Sequence, residues 1–196
     1  MFESKIAIVG GIPGVGKTTV INIALESAKK EGVEINTIVY GSEMMQIAKK
    51  DYNVQSRDDL RKLPPAEQKE IQRLAAISIA KKSAGKVTIV DTHYSIKTGS
   101  GTYLQGIPSW VSDGLNPRLL ILIETIPENI SLRRNTDPSR ERDEEDIDRV
   151  KVHQELNRTI AATICQKSGA LLGIIQNKQG IAEEAGKILF EYLKTL

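Results

Sequence analysis

The sequence predicts an α/β protein built on one mostly parallel, doubly wound sheet. Short apolar runs alternate with helical segments along the 196 residues, which is typical of strands joined by crossover helices. A glycine-rich stretch, GGIPGVGKTT at 10–19, joins the first run to the first helical segment. The run RLLILIE at 118–124 is almost entirely apolar, as expected for a central strand covered on both faces. We expect a single domain spanning 1–196, since this length suits one domain with a substantial core.

Each predicted strand is a short apolar run bounded by charged or turn-forming residues. In chain order the five strands are KIAIV at 5–9, INTIVYG at 35–41, KVTIVDTH at 86–93, RLLILIE at 118–124 and ALLGIIQN at 170–177. No internal repeat or low-complexity linker interrupts this order.

The segments between the strands have helical spacing and recognisable ends. Pro65 suits the first turn of a helix, while Gly32 and Gly85 suit helix ends. The predicted helices cover 17–31, 42–50, 65–85, a short piece around Trp110, a piece from Pro127, a long piece ending near Ser168 and the C-terminal segment. We expect a glycine-rich loop at 98–108 and a charged stretch, DPSRERDEED, at 137–146.

Composition argues against several classes of protein. The 27 basic and 25 acidic side chains leave a net charge of +2, so no global field attracts nucleic acid. A single cysteine, Cys165, excludes an internal disulfide framework. No stretch approaches the ~18 apolar residues of a membrane span, and the start MFESKIAIVGG is unlike a signal peptide. We therefore expect a soluble cytoplasmic protein that binds neither nucleic acid nor membrane.

The glycine-rich stretch fits the phosphate-loop pattern G-x-x-x-x-G-K-[ST] in full, between a strand and a helix as the motif requires. Glycines let backbone N–H groups point at a phosphate, and the helix N-terminus adds partial positive charge. Lys17 would reach the β- and γ-phosphates, and the Thr18 hydroxyl would ligate Mg²⁺. The residues predicted to bind the nucleoside triphosphate are Gly11, Ile12, Pro13, Gly14, Val15, Gly16, Lys17, Thr18 and Thr19.

Asp91 ends the third predicted strand, where phosphate-loop proteins commonly place the acid that supports Mg²⁺. An ordinary strand-end or helix-capping aspartate is the alternative interpretation. By analogy of fold, a GTPase would have D-x-x-G after the third strand and N-K-x-D before the last helix. The chain has DTHY at 91–94 and NKQG at 177–180 instead. Gly180 stands where the N-K-x-D motif has its aspartate, so the carboxylate needed for guanine specificity is missing.

Arginines stand in two groups at the ends of predicted elements. One group is Arg57 and Arg61, and the other is Arg133, Arg134, Arg140 and Arg142. Guanidinium groups bind phosphate in a planar, bidentate manner and neutralise charge on a transferring phosphoryl group. Two separate groups indicate two phosphate sites. The alternative is a solvated face, because RERDEED mixes both signs and could pair with itself.

Six stretches together resemble the archaeal type of adenylate kinase: GIPGVGKTT, YGSEMMQIAKK, RDDLRKL, VDTHYSIKTGSGTYLQGIPSWV, LNPRLLILIET and SRERD. The resemblance runs almost the full length. It implies a nucleoside-monophosphate-kinase fold, with strand order 2-3-1-4-5, helices on both faces, an AMP-binding segment at about 41–84 and a short lid at about 135–145. It also implies the reaction ATP + AMP = 2 ADP with Mg²⁺ as cofactor, and it suggests a homotrimer.

The resemblance further implies roles for single residues on the ATP side. Residues 11–19 match the ATP phosphate loop, and Asn177 lies in the loop that borders the ATP base. Asp91 matches the acid that acts on Mg²⁺ through water, beside Thr18. Arg134 matches an arginine near the adenine and phosphates of ATP, although the adjacent Arg133 leaves the register open.

On the AMP side, the resemblance places Arg57, Arg61 and Lys97 at the AMP phosphate. Arg140 and Arg142 match lid arginines that close over the phosphoryl group. The catalytic set implied in this way is Lys17, Arg134, Arg140 and Arg142.

Two other functions remain open from the residues alone. One is a kinase for another nucleoside monophosphate, or for a small hydroxyl acceptor with Asp91 as base. The other, from a different class, is an NTP-hydrolysing regulatory module. No motif fixes the base of the acceptor, since that choice depends on one or two hydrogen bonds. An AMP phosphate needs no general base, because its second pKa is about 6.

Overall fold

A computed structural model of the chain describes residues 5–98, 100–135 and 146–196. Its strands are β1 (Ile6–Gly10), β2 (Asn36–Val39), β3 (Thr88–Asp91), β4 (Ser95–Lys97), β5 (Tyr103–Gln105), β6 (Leu119–Glu124) and β7 (Leu171–Gln176). Its helices are α1 (Lys17–Lys30), α2 (Tyr40–Asp51), α3 (Arg57–Lys62), α4 (Pro65–Lys82), α5 (Ser109–Leu115), α6 (Pro127–Asn135), α7 (Ile147–Ser168) and α8 (Ala182–Leu193). Among the described residues, no helix is long and apolar enough to cross a membrane.

Five parallel strands form the main sheet in the order β2-β3-β1-β6-β7. Counted along this sheet alone, the order is 2-3-1-4-5, which confirms the expected fold. Strand β1 lies in the middle, with Ile8 opposite Val90 of β3 and Leu120 of β6. Because the strands are parallel, the segments that follow them all emerge at one edge of the sheet.

The core has two layers, one on each face of the sheet. Alternate residues of β1 face opposite sides: Ala7 and Val9 pack in the layer with α1 and α8, while Ile8 packs with α4 and α5. All six residues of β6 are buried, which confirms that this central strand is covered on both faces. Strand β7 is different, because its outer positions are exposed at the edge of the sheet.

The segment predicted as a glycine-rich loop contains a small antiparallel hairpin. Strands β4 and β5 pair Ser95 with Gln105 and Lys97 with Tyr103. The turn between them is closed by the Thr98 amide, which donates to the Thr102 carbonyl at 2.8 Å. Strands of three residues carry too few side chains to give a period-2 pattern, so the sequence did not predict them.

Two helices also begin where the sequence did not predict a start. Helix α2 starts at Tyr40, inside the run predicted as strand to 41, because the Tyr40 hydroxyl packs inward and donates to the Gln72 carbonyl at 2.8 Å. Helix α3 was not predicted. Ser56 caps it and Asp59 completes a capping box, which is a recognised start signal.

Candidate active site

The phosphate loop, residues 11–19, follows β1 and leads directly into α1. Ile12 and Val15 are buried and anchor it, whereas Thr18 and Thr19 are exposed in the first turn of the helix. Gly16 has φ +84° and caps α1, a conformation that favours glycine. A Cβ atom at this position would also collide with Asn177 Nδ2. The predicted glycine is therefore required both by the backbone and by a neighbour from the far end of the chain.

Lys17 and Asp91, both predicted site residues, are in direct contact. Lys17 Nζ donates to Asp91 Oδ1, and Asp91 ends β3 beside Val9 of β1. Burial lowers the pKa of Lys17 from 10.5 to about 8, while contact with a carboxylate favours its charged form. A pKa of about 8 leaves the ammonium group mostly protonated near pH 7, and the contact with Asp91 favours the same form. A fixed positive charge thus lies at the base of the phosphate loop.

Arg133, Asn177 and Gln179 form what we call the Val15 clasp. Asn177 Nδ2 donates to the Val15 carbonyl at 2.7 Å, and Arg133 Nη1 donates to the same oxygen at 2.9 Å. Arg133 Nε also donates to Gln179 Oε1 at 3.0 Å. The clasp joins α6 and the loop after β7 to the phosphate loop, so Asn177 lies beside that loop.

The structure describes less of the other predicted arginines, Arg134, Arg140 and Arg142. Arg134 lies on α6 next to Arg133, and its side chain is outside the described part of the structure. Arg140, Arg142 and most of the predicted lid at about 135–145 also lie outside the described residues. Of the two arginines between which the sequence left the register open, Arg133 is the one described at the phosphate loop.

His93 connects the segment after β3 to the phosphate loop. Its Nδ1 lies 2.9 Å from the Gly11 carbonyl oxygen, and since a carbonyl only accepts, Nδ1 carries the proton. It holds the first glycine of the loop against the adjacent strand end.

A single cleft of about 2020 Å³ joins the phosphate loop to the predicted AMP side. Gly14 and Lys17 line one part, and Arg57, Arg61 and Lys97 line another. Pockets for one small molecule have volumes of roughly 300–1,000 Å³. This cleft is large enough for two nucleotides, and it contains every predicted AMP-binding residue.

The predicted AMP-binding residues come from two elements. Arg57 and Arg61 lie on α3, where Arg61 Nη1 donates to Asp58 Oδ1 at 2.8 Å. Lys97 lies on β4, across from Tyr103. The hairpin and α3 therefore supply cations to the same cleft from different directions.

Sequence reasoning missed a buried polar group under the hairpin. Ser95 Oγ lies 3.0 Å from His153 Nε2 and accepts from Asn157 Nδ2 at 2.9 Å, while the His153 ring packs on Tyr103. His153 and Asn157 are four residues apart on α7 and thus share one helix face. The spacing of His153 and Asn157 indicated that these two polar side chains share a helix face. Nothing in the sequence indicated that Ser95 would be their partner.

The chain matches known proteins along most of its length. Residues 10–151 match the family described as AAA domain. The adenylate kinase of Methanocaldococcus jannaschii is 43% identical, covering 98% of this chain and 100% of that protein. The adenylate kinase of Methanococcus aeolicus is 38% identical over 98% and 99% of the two chains. That of Thermoplasma volcanium is 39% identical over 96% and 99%.

Solved structures agree on the fold. A shikimate kinase from Acinetobacter baumannii, in complex with shikimate, superposes with a TM-score of 0.56 at 18% identity, covering 98% of this chain and 94% of that one. A sugar kinase from Janibacter has a TM-score of 0.51 at 15% identity, with 98% and 95% covered. At these identities the likeness concerns the fold alone. The near full-length matches at 38–43% identity identify the chain as a member of the adenylate kinase family, of the type found in archaea.

Proposed function

We propose that the chain catalyses the reversible transfer of a phosphoryl group from ATP to AMP, giving two molecules of ADP, with Mg²⁺ as cofactor. The observation that carries this proposal is one cleft bordered both by a phosphate loop and by a second set of cations, Arg57, Arg61 and Lys97. Membership of the adenylate kinase family supports the same reaction. In this proposal the chain is one kinase domain, with an AMP segment at about 41–84 and a lid at about 135–145.

The phosphate loop would hold the ATP phosphates through its backbone N–H groups and the start of α1. Lys17 would neutralise charge on the β- and γ-phosphates. The donor set at this point fits Mg²⁺, which prefers hydroxyl and carboxylate oxygens: the Thr18 hydroxyl is exposed in the first turn and Asp91 lies at the adjacent strand end. Bound there, directly to Thr18 and through water to Asp91, Mg²⁺ would neutralise phosphate charge.

The acceptor side would bind the AMP phosphate with Arg57, Arg61 and Lys97. Guanidinium groups suit this role because they bind phosphate oxygens in pairs. No side chain has to remove a proton, since a phosphate with a second pKa of about 6 is already anionic near neutrality. The site therefore needs to align two nucleotides and needs no general base.

Catalysis would rest on charge stabilisation during an in-line transfer. Lys17 would act on the phosphoryl group from the loop side, and Arg134, Arg140 and Arg142 would approach it when the lid closes. Closure would also exclude water, so that ATP is not hydrolysed without an acceptor.

We also propose that the chain forms a homotrimer, as the resemblance suggests, and that it resides in the cytoplasm, as its composition suggests. An exposed apolar strip on one face of the edge strand supports association between chains: Leu172 and Ile174 of β7, two residues apart, are 37% and 42% exposed. Contiguous apolar surface of this kind is common where proteins meet.

The experiment that tests the function measures ADP formation from Mg·ATP by the purified chain. Parallel reactions contain AMP, GMP, CMP, UMP, shikimate or no acceptor. We expect AMP to accelerate ADP formation far more than any other acceptor, because both phosphate sites are then filled. Equal rates with and without acceptor would instead support the hydrolytic module, and acceleration by shikimate would support a hydroxyl acceptor.

A further inference from the structure

The wall of the cleft formed by α4 has two glutamines one helical turn apart. Gln68 and Gln72 both line the cleft and both are partly exposed to it. Residues four apart on a helix lie on the same face, so the two amides are neighbours. Met44, Met45 and Leu60 add apolar side chains to the same end of the cleft, beside the arginines of α3. An apolar wall with a few placed polar groups is typical of a site for a flat ring.

The orientation of the Gln72 amide is fixed by Trp110. Trp110 Nε1 donates to Gln72 Oε1 at 3.0 Å. An indole N–H can only donate, so the contacting atom of the amide is its oxygen. The amino group of Gln72 therefore points the other way, and among the described residues no partner lies within hydrogen-bonding distance of it. Lys69, 4.6 Å from the centre of the Trp110 ring, helps to hold the indole in place.

The orientation of the Gln68 amide is fixed by two acceptors, where that of Gln72 is fixed by a donor. Its Nε2 donates to the Leu63 carbonyl at 2.7 Å and to the Arg61 carbonyl at 3.1 Å. Carbonyl oxygens only accept, so both bonds must use the amino group. Gln68 Oε1 is left as an acceptor, with no donor near it in the part of the chain that the structure describes.

We propose, building on the proposed function, that these two amides recognise the base of the acceptor nucleotide. Gln68 Oε1 accepts a hydrogen bond from the 6-amino group of adenine, and Gln72 Nε2 donates one to adenine N1. Guanine and hypoxanthine present the reverse pattern, with an acceptor at O6 and a donor at N1, so each amide would face a group of its own kind. Cytosine shares the donor and acceptor pattern of adenine but is one ring smaller, and it would leave part of the apolar wall uncovered.

This arrangement explains how two neutral amides can select one base. A pocket built to form a hydrogen bond rejects an analogue that leaves its polar groups unpaired. Rejection depends on the amides being unable to rotate, since a free amide presents either end with equal ease. Trp110 and the carbonyls of Arg61 and Leu63, at the end of α3, prevent that rotation. Trp110 is thus a positioning residue for specificity.

The first test uses the full-length variant Gln72→Glu with Mg·ATP and either AMP or inosine monophosphate, which has hypoxanthine as its base. A glutamate can still accept from Trp110 with one oxygen, but the other oxygen is now an acceptor that suits the N1–H of hypoxanthine. We expect kcat/KM for AMP to fall about 10- to 100-fold and kcat/KM for inosine monophosphate to rise. Gln166→Glu, which adds the same charge at an exposed position of α7, should leave both values unchanged.

The second test is Trp110→Phe, which keeps an aromatic ring but removes the donor. We expect the ratio of kcat/KM for AMP to that for inosine monophosphate to fall about 10-fold, with kcat for AMP within a few-fold of the parent. An unchanged ratio in both Gln72→Glu and Trp110→Phe would overturn the inference while leaving the kinase reaction intact. A parent chain that transfers phosphate to no nucleoside monophosphate would instead contradict the proposed function.

Discussion

At the scale of single residues, the Val15 carbonyl is where three distant parts of the chain meet. It accepts from Asn177 at 2.7 Å and from Arg133 at 2.9 Å, which uses both of its lone pairs. In a trans peptide the C=O and the following N–H point in opposite directions. Holding the Val15 oxygen in the clasp therefore directs the Gly16 N–H to the opposite side of the loop. The clasp orients a backbone group that a phosphate would need.

Replacing Arg133 with methionine tests this effect. We expect Arg133→Met to lower kcat/KM for Mg·ATP about 10-fold, mainly through a higher KM, because the loop loses a charged hydrogen-bond donor. Arg134→Met should act mainly on kcat if Arg134 approaches the transferring phosphoryl group. Steady-state kinetics with varied ATP at saturating AMP separate the two effects.

Lys167→Met is the control, since it also removes one positive charge but from an exposed pair with Asp113. Its kinetics should equal those of the parent. Equal KM values for ATP in Arg133→Met and the parent would contradict the role of the clasp.

The residues of the phosphate loop could be predicted from sequence because the motif is local. The sequence also placed Lys17 and Asp91 in one site. Lys17 stands in the loop that follows the first predicted strand and Asp91 ends the third, and parallel strands end at the same edge of a sheet. The clasp could not be predicted, because its bonds join residues 118 and 162 positions apart and no pattern relates Arg133 or Asn177 to a particular carbonyl. The contact of Arg133 with the phosphate loop likewise depends on the direction of helix α6, which no sequence pattern indicates.

At the scale of elements, helices α2 and α4 are joined by a buried carboxylate. Glu43 of α2 is 5% exposed, and it accepts from Lys82 Nζ at 2.6 and 2.7 Å and from Ser78 Oγ at 2.6 Å. Burial by itself raises the pKa of Glu43, but the bonds from Lys82 and Ser78 outweigh it and hold the pKa below 4.5. The pair fixes the C-terminal part of α4 against α2.

Removing the lysine should weaken this connection in a pH-dependent way. We expect Lys82→Met to lower the free energy of unfolding by about 1–2 kcal/mol at pH 7, because a buried carboxylate loses its charged partner. A lowered pKa means that Glu43 stabilises the parent above its unfolded-state pKa, and that this contribution disappears as the pH falls through the folded-state value. The difference between variant and parent should therefore shrink below about pH 4.5.

Urea denaturation at pH 7 and pH 4 measures both quantities. Lys81→Met is a matched control on the same helix, because Lys81 is exposed and its loss should change stability by less than about 0.5 kcal/mol. A Lys82→Met difference that is the same at both pH values would contradict the coupling to Glu43.

The elements that sequence reasoning missed are the short ones around the acceptor side. Helix α3 has six residues and none of them is buried, so it lacks the apolar periodicity that predicts a helix. Its capping box at Ser56 was the signal that remained. Strands β4 and β5 have three residues each, and they are held by Ser95 and its partners on α7. Tertiary contacts, not local preference, determine where these pieces form.

At the scale of the whole molecule, the site follows from the sheet. The phosphate loop follows β1, Asp91 ends β3 and Asn177 follows β7, so three strands bring their carboxyl ends to the same edge. Ligands bind at that edge in open α/β sheets. The alternation of strands and helices therefore predicted where the site lies, whereas the order of the strands came from the family resemblance.

The proposed trimer gives a prediction for the intact protein. Sedimentation equilibrium should report about 65 kDa, three chains of 21.6 kDa. If the exposed strip on β7 is the contact, Ile174→Lys should give single chains, because a charge buried in an interface without a partner is costly. Val152→Lys, at another exposed apolar position on α7, is the control. A parent chain that sediments at 21.6 kDa would contradict the trimer.

The central place of β1 in the sheet has a consequence for synthesis on the ribosome. Its two neighbours are β3, which begins at Thr88, and β6, which begins at Leu119, so the first strand to emerge is among the last to be enclosed. At ~5–20 residues per second, the first strand waits on the order of ten seconds for its second neighbour. During that time Ile6, Ile8 and Val9 lack their native cover, and the nascent chain carries an apolar segment that chaperones bind and that other chains can pair with. Nucleotide binding can begin only after most of the protein has been made.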